Sequence, residues 1–208
     1  MEEINQEKKS FKTEMTQKYI PFIWEFAKIA IIAFIIVAPI RYFLFQPFIV
    51  KGESMTPNLQ DGNYLIIDEI SYRFAEPQRG DVIVFNAGFI PGYAGQRFVK
   101  RLIGLPGETI EITNGAVQIT KDGKTTILSE KYLPDSLKTY GSSNGYNLSL
   151  SPERVTLKSD QYFVLGDNRN GSYDSRMWGV VMKQNIIGKA SLRLLPINSL
   201  SEISRPTY

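Results

Sequence analysis

The 208-residue chain contains no histidine and no cysteine. Without cysteine there is neither a disulfide framework nor a thiolate nucleophile. Without histidine as well, a zinc or haem site has almost no ligands to draw on, and neither metal nor cofactor is expected. The imidazole base of most hydrolytic sites is also missing. A hydroxyl nucleophile must then be activated by another side chain, and a lysine amine is the leading option. Charge of one sign is lacking too: 24 basic against 21 acidic residues leave a formal net charge of +3 spread along the chain, with no basic patch on which nucleic acid could sit. What is present, 43% hydrophobic and 22% charged residues, is the composition of a folded protein. The length fits one domain, or one domain with an elaboration. A cysteine-free chain suits either side of a membrane.

One long apolar run stands out, WEFAKIAIIAFIIVAPIRYFLF. Every residue from Ile29 to Ile40 is apolar or proline, and Phe22, Phe26, Phe43 and Phe45 extend the run. About 20 such residues cross a hydrocarbon core of roughly 30 Å as a helix. Glu25 and Lys28 lie one turn apart and can pair. Trp24, Arg41 and Tyr42 have the chemistry of interfacial anchors. A cleaved leader does not fit, because the run is too long and no small-x-small site follows it. Lys8, Lys9, Lys12 and Lys18 precede the run, whereas only Arg41 and Lys51 follow closely. This asymmetry predicts a cytoplasmic amino terminus and an exported remainder.

Beyond residue 48 the pattern is β. NYLIID, DVIVF, QRFVKRL, ETIEI, AVQIT, TTIL, QYFVL and ASLRLL are short β-branched or alternating runs between turn residues. Asn114-Gly115 and Asp122-Gly123 are hairpin turns, which predicts an antiparallel meander over 108–128. Residues 129–159, rich in Ser, Asn, Tyr, Pro and Lys, read as a loop-rich elaboration that caps the main sheet. No helical pattern of useful length follows the apolar run.

Three segments carry chemistry. In VKGESMTPNL, Ser54 follows Gly52 and precedes Pro57, with Met55 and Leu59 apolar where a loop is expected; apolar neighbours around a loop hydroxyl suggest a lined groove. In RFVKRL, alternation puts Phe98, Lys100 and Leu102 on one face and Val99 and Arg101 on the other. A lysine between two large apolar neighbours is either an edge-strand gatekeeper or a partly desolvated amine. Strand pattern alone favours the gatekeeper, but burial can lower a lysine pKa far enough for it to accept a proton near neutrality. In VLGDNRNGSYDSRMWG, residues 164–179, Asp167, Arg169, Asp174 and Arg176 fall within ten positions. Such a segment can fold as a loop clamped by carboxylate–guanidinium pairs, and can equally be a surface turn with incidental charges.

Taken in order, GESMTPNL, RGDVIVF (79–85), FVKRLIGLPGE (98–108) and GDNRNGSYDSRMWG (166–179) closely resemble the signature boxes of type I signal peptidases, the membrane-bound serine proteases that remove signal peptides from exported proteins. The resemblance covers most of the chain beyond residue 48 and overrides the gatekeeper reading of Lys100. It implies Ser54 as nucleophile, Lys100 as general base and Ser172 as a hydroxyl that orients the amine. It further implies Asp167, Arg169, Asp174 and Arg176 as residues that structure the site, and Met55, Leu59, Phe98 and Val99 as lining of an apolar substrate cleft. The acids are expected to be engaged by Arg169 and Arg176, away from the amine, since a carboxylate nearby would raise its pKa.

The fold implied is mainly β. A cytoplasmic segment 1–20 and a transmembrane helix 21–46 precede an antiparallel catalytic core of 47–105 and 160–208, with a variable β-rich extension at 106–159. Expected partners are signal peptides with small residues at the first and third positions before the cut, the lipid bilayer and the secretion machinery. Two positions depart from the family's pattern. Gly52 stands where some members carry an oxyanion-binding serine, which leaves backbone N–H groups such as that of Ser54, or water, for that task. Asn58 stands where threonine is usual. The dyad is shared by autoproteolytic repressor-type proteases, and a catalytically silent, membrane-tethered β module that binds peptides is the alternative from outside enzymology.

Overall fold

The computed structural model describes residues 19–37, 45–141 and 154–208. The expected cytoplasmic segment up to residue 18, the end of the span at 38–44 with Arg41 and Tyr42, and residues 142–153 of the extension lie outside the described residues. The chain divides into two units, Met1–Phe43 and Leu44–Tyr208.

In the first unit, helix α1 runs Tyr19–Val37. Its 19 residues cover about 28 Å at the α-helical rise, close to the thickness of a bilayer core. Ile23, Phe26, Ile29, Phe34 and Ile35 are all more than half exposed, an arrangement that suits lipid and not water. Lys28 donates to Glu25 at 2.6 Å, the pairing expected from their spacing.

The second unit is mainly antiparallel β, as the sequence predicts. One sheet has the order β1(Phe45–Ile49), β2(Tyr64–Asp68), β11(Ile186–Leu195), β3(Val82–Asn86), β4(Arg97–Gly104), β9(Gln161–Leu165) and β10(Val181–Met182), with β12(Ser201–Glu202) paired to β11. A second sheet orders β7(Lys124–Ile127), β6(Ala116–Lys121), β5(Thr109–Thr113) and β8(Arg154–Thr156). All eight runs named from the sequence lie in strands. The turns at Asn114-Gly115 and Asp122-Gly123 have positive φ at both residues, 52° and 77° in the first and 49° and 77° in the second, which is the backbone a tight hairpin needs.

Phe45 and Gln46, assigned by hydropathy to the end of the span, instead begin β1 and pair with Asp68 and Ile67. An apolar run continuing from helix into strand has no compositional break to mark the change. Pro47 is tolerated there because β1 is an edge strand.

The central strands are covered on both faces. Val82, Val84 and Val99 join Met55, Leu59, Leu65 and Ile67 in one cluster. Ile83, Phe85, Leu102, Tyr162 and Val164 form a second. Ile103, Phe163 and Leu165 meet Ile110, Val117 and Ile119 of the smaller sheet in a third. Strand β4 contributes to all three, and from Val99 to Gly104 none of its residues is exposed.

Strands β2 and β11 approach so closely that a Cβ on Gly188 would lie 2.5 Å from the Asp68 carbonyl oxygen. Backbone cannot yield as a side chain can. Gly188→Ala is expected to lose about 1–3 kcal/mol of stability through overpacking, read as a lower midpoint in chemical denaturation of the full chain in detergent. An unchanged midpoint contradicts the tight pairing.

Candidate active site

Residues 51–62 form the connection between β1 and β2, closed at its base by Val50 N–H to Asn63 O at 2.9 Å and Gly62 N–H to Val50 O at 2.9 Å. Gly52 has φ of 82°, a conformation that favours glycine, and its N–H donates to Asp61 Oδ1 at 2.6 Å. Met55 and Leu59 point into the core beneath the turn, 0% and 3% exposed, and are joined by Leu59 N–H to Met55 O at 2.8 Å. These two plugs fix the turn and leave Ser54 half-buried at its rim.

Lys100 lies on β4, opposite Ile83 of β3, with only 4% of its surface exposed. Its Nζ donates to Ser54 Oγ at 2.7 Å and to Val99 O at 3.0 Å, and sits 5.4 Å from the centre of the Phe98 ring. Strand β4 is interior to the sheet, between β3 and β9, so the gatekeeper alternative fails: an edge is needed for that role. Desolvation lowers the Lys100 pKa to about 8, although Asp174 and Asp167 pull it upward. A buried amine with no carboxylate in contact loses more from dehydration of its charge than it regains from acids held by other cations.

The loop 166–176 packs against this pair. Asn168 N–H donates to Ser54 O at 3.1 Å and its Nδ2 to Glu53 O at 3.2 Å. Asp174 takes both Nε and Nη2 of Arg176 at 2.8 Å, and it also accepts from Gly166 N–H at 3.0 Å. This is the pairing expected. Asp167 is different: its partner is Arg101, through Nε at 2.8 Å and Nη2 at 2.7 Å, and not Arg169. Arg101 projects from β4 on the face opposite Lys100 and reaches Asp167 from beneath. Arg169 turns away to Glu130, donating from Nη1 at 2.6 Å and Nη2 at 2.5 Å. Ser172 is 4% exposed, and its Oγ has no hydrogen-bond partner among the described residues; no bond joins it to Lys100. A Cβ on Gly166 would come within 2.1 Å of Ser172 Oγ and 2.4 Å of Ser54 O, so the loop and the Ser54 turn meet where only glycine fits.

Beside the pair runs a groove of about 620 Å³, lined among others by Phe48, Ile49, Tyr93, Phe98 and Tyr173. Phe98 and Val99 line it, as the resemblance implies. Met55 and Leu59 do not, because their side chains are spent on anchoring the turn from below. Tyr93 stacks edge-on to Phe98 with centroids 5.0 Å apart and lies 5.6 Å from Tyr173, giving the groove an aromatic wall. A second cavity of about 580 Å³, lined by Asn58, Tyr132 and Arg193, lies behind the turn and reaches neither Ser54 nor Lys100.

Sequence reasoning missed Arg101, Glu130, Tyr132, Tyr93 and Tyr173 as parts of this region. Arg101 carried a signal, a second cation in an otherwise apolar strand that demands a buried acid. Glu130 and Tyr132 carried none, since they belong to a segment without periodicity.

The family described as signal peptidase, peptidase S26, matches residues 23–195. A probable signal peptidase I-1 of Synechocystis sp. is 36% identical over 202 residues, covering 93% of this chain and 95% of the relative. A signal peptidase I of Leptolyngbya laminosa is 41% identical over 175 residues, 80% of this chain and 77% of the relative. Signal peptidase I T of Bacillus subtilis is 34% identical over 199 residues, with 94% and 98% covered.

The Arg101–Asp167 pair is 5% and 0% exposed. Arg101→Leu leaves a buried carboxylate facing only an amide, and is expected to destabilise the fold by about 3–5 kcal/mol. Chemical denaturation measures it, and a loss below that of an ordinary surface substitution contradicts the burial of the pair.

Proposed function

The chain belongs to the signal peptidase family, peptidase S26, and from that premise we propose that Ser54 is the nucleophile and Lys100 the general base that together cleave signal peptides. The family is one of membrane-anchored serine proteases acting on exported preproteins, and α1 is a helix of suitable length and polarity for the anchor. The observation that carries the dyad is the 2.7 Å contact between Ser54 Oγ and an Nζ whose pKa is lowered to about 8 by burial.

In the neutral state the amine has a lone pair and the contact reverses its sense, Ser54 O–H donating to Lys100 Nζ. Lys100 takes that proton as Ser54 Oγ attacks the scissile carbonyl. The ammonium so formed protonates the departing amine, which leaves an acyl-enzyme. Lys100, neutral again, takes a proton from water as the water oxygen attacks the ester carbonyl; the Ser54 Oγ–acyl bond breaks, the Lys100 ammonium returns its proton to Ser54 Oγ, and the signal peptide leaves as a carboxylate. Two burial effects cooperate in this scheme. Dehydration keeps the amine basic yet uncharged, and the low local polarity strengthens any donor aimed at the developing oxyanion. The Ser54 N–H suits that task, since no backbone carbonyl among the described residues engages it. Ser172, buried beside Gly166 with its Oγ unpartnered, is the hydroxyl proposed to orient the amine.

Small residues at the first and third positions before the cut fit a groove bounded by Phe98, Val99 and Tyr93, which excludes bulk sterically. The lysine excess before α1 supports a cytoplasmic amino terminus with the catalytic unit on the far side of the membrane. On that reading the unit meets preproteins as the secretion machinery delivers them. A silent peptide-binding module gives no reason to bury an amine against a hydroxyl, and the repressor-type alternative has no support in a family match that spans residues 23–195.

Ser54→Ala and Lys100→Ala are each expected to reduce kcat/KM on a preprotein by roughly 10⁴-fold or more, as in other dyads and triads whose members act as a unit; parental turnover by either variant refutes the assignment. The profile of kcat/KM is expected to rise with pH through an apparent pKa of about 8, because only the unprotonated amine accepts the Ser54 proton. A rise near the unperturbed lysine value of about 10.4 signals a solvated amine instead.

A further inference from the structure

We propose that Asn58 is a positioning residue, which holds the nucleophile turn in register with the 166–176 loop and takes up charge from Asp167 Oδ2. The proposal rests on the Ser54–Lys100 reading. Asn58 Nδ2 donates to Asp167 Oδ2 at 2.9 Å and to Tyr132 O at 3.1 Å. Its own carbonyl accepts from Arg193 Nη1 at 3.0 Å. One side chain and one peptide unit thus join the turn to the catalytic loop, to the 129–141 segment and to β11.

The two acceptors of the amide come from different parts of the chain, and only a side chain with two donors serves both. A threonine hydroxyl here would have a single hydrogen to give. Asn58 does not line the groove, so its effect on chemistry has to pass through the turn or through Asp167. Both routes end at the dyad. Turn placement matters because Asn168 grips Ser54 O and Glu53 O from the same loop that carries Asp167. Charge matters because Asp167, with Asp174, favours the protonated form of Lys100. The charged and titratable groups around this node are Arg101 from β4, Arg193 from β11, Glu202 from β12, Lys131 and Tyr132 from the 129–141 segment, Arg169 from the 166–176 loop and Tyr208, and Arg101 alone pairs with Asp167 bidentately. Removing the amide returns charge to Asp167 Oδ2, stabilises the Lys100 ammonium and moves the ascending limb of the pH profile upward.

The test uses the full chain in detergent micelles with a preprotein substrate, comparing parent, Ser54→Ala, Asn58→Leu and Asn58→Thr. For Asn58→Leu, loss of a hydrogen bond to a buried charge is expected to lower plateau kcat about tenfold, with KM within about twofold of the parent. Its ascending limb is expected at higher pH, with Asn58→Thr between Leu and parent. Should Asn58→Leu fail to fold, Asn58→Thr decides alone by the same readouts. A limb at the parental pH in every folded variant overturns the proposal whether or not kcat falls, and so does a defect confined to KM. If Ser54→Ala keeps parental turnover the dyad reading itself falls; if Ser54→Ala is inactive while the Asn58 variants match the parent, only the role of Asn58 falls.

Discussion

Dehydration of one amine is the constraint around which the catalytic unit is organised. In the proposed role of base, Lys100 is useful only while its charged form is disfavoured, and a lysine is easily returned to the ammonium by a neighbouring carboxylate. Two carboxylates nonetheless act on it, Asp167 and Asp174. Each is held by a guanidinium through two parallel bonds, Asp167 by Arg101 and Asp174 by Arg176. Planar bidentate pairing suits arginine and not lysine. The acids therefore serve as scaffolding for the loop while much of their field is cancelled locally. The same logic explains why the partners of both acids are arginines. An arginine stays charged and paired, whereas a second lysine at either place could compete with Lys100 in the role proposed for it.

The second requirement is distance. Ser54 must stay within reach of Nζ, and its turn has no regular secondary structure to fix it. Position comes from three directions instead. Met55 and Leu59 anchor the turn in the core from below, the Asn168 contacts hold it from the side, and the Gly52–Asp61 bond shapes its entry. Gly166 is the point where the catalytic loop passes under Ser54 O and beside Ser172 Oγ. A methyl group there would push the turn and loop apart, so the absence of a side chain at residue 166 is part of the geometry that keeps the dyad closed.

Much of the fold was legible because strands β2 to β7, β9 and β11 are alternating or β-branched runs between turn residues, including β7, which is exposed throughout. Four strands were not. β1 continues an apolar run without a break, and β8, β10 and β12 are two or three residues long and exist through their pairing, which periodicity does not reveal. The site divides in the same way. Ser54 and Lys100 were singled out from their boxes and lie in contact, and the Asp174–Arg176 pair follows from its spacing. Asp167 was assigned the wrong arginine, because nearness in sequence favoured Arg169 whereas the sheet brings Arg101 beneath the loop. Met55 and Leu59 were read as cleft lining since apolar residues flanking a loop hydroxyl look alike from either side; only the packing direction separates a plug from a wall.

The extension has a part in the site that its sequence hides. Thr139 N–H donates to Gly115 O at 3.0 Å, which ties the 129–141 segment to the Asn114–Gly115 hairpin of the second sheet. From that segment Glu130, Tyr132 and Thr139 all accept from the Arg169 guanidinium, and the Tyr140 carbonyl accepts from Arg176 Nη1 at 3.1 Å. Arg169 is 1% exposed and donates through Nε to Gly166 O at 3.0 Å, one residue from the Asp167 carboxylate. A buried guanidinium deprived of Glu130 becomes an uncompensated charge, set directly behind the glycine on which the turn rests. The smaller sheet therefore supplies, through an aperiodic segment, the counter-charge that lets the catalytic loop keep its shape, and variation in the extension is free only where it leaves Glu130, Tyr132 and Thr139 facing that arginine.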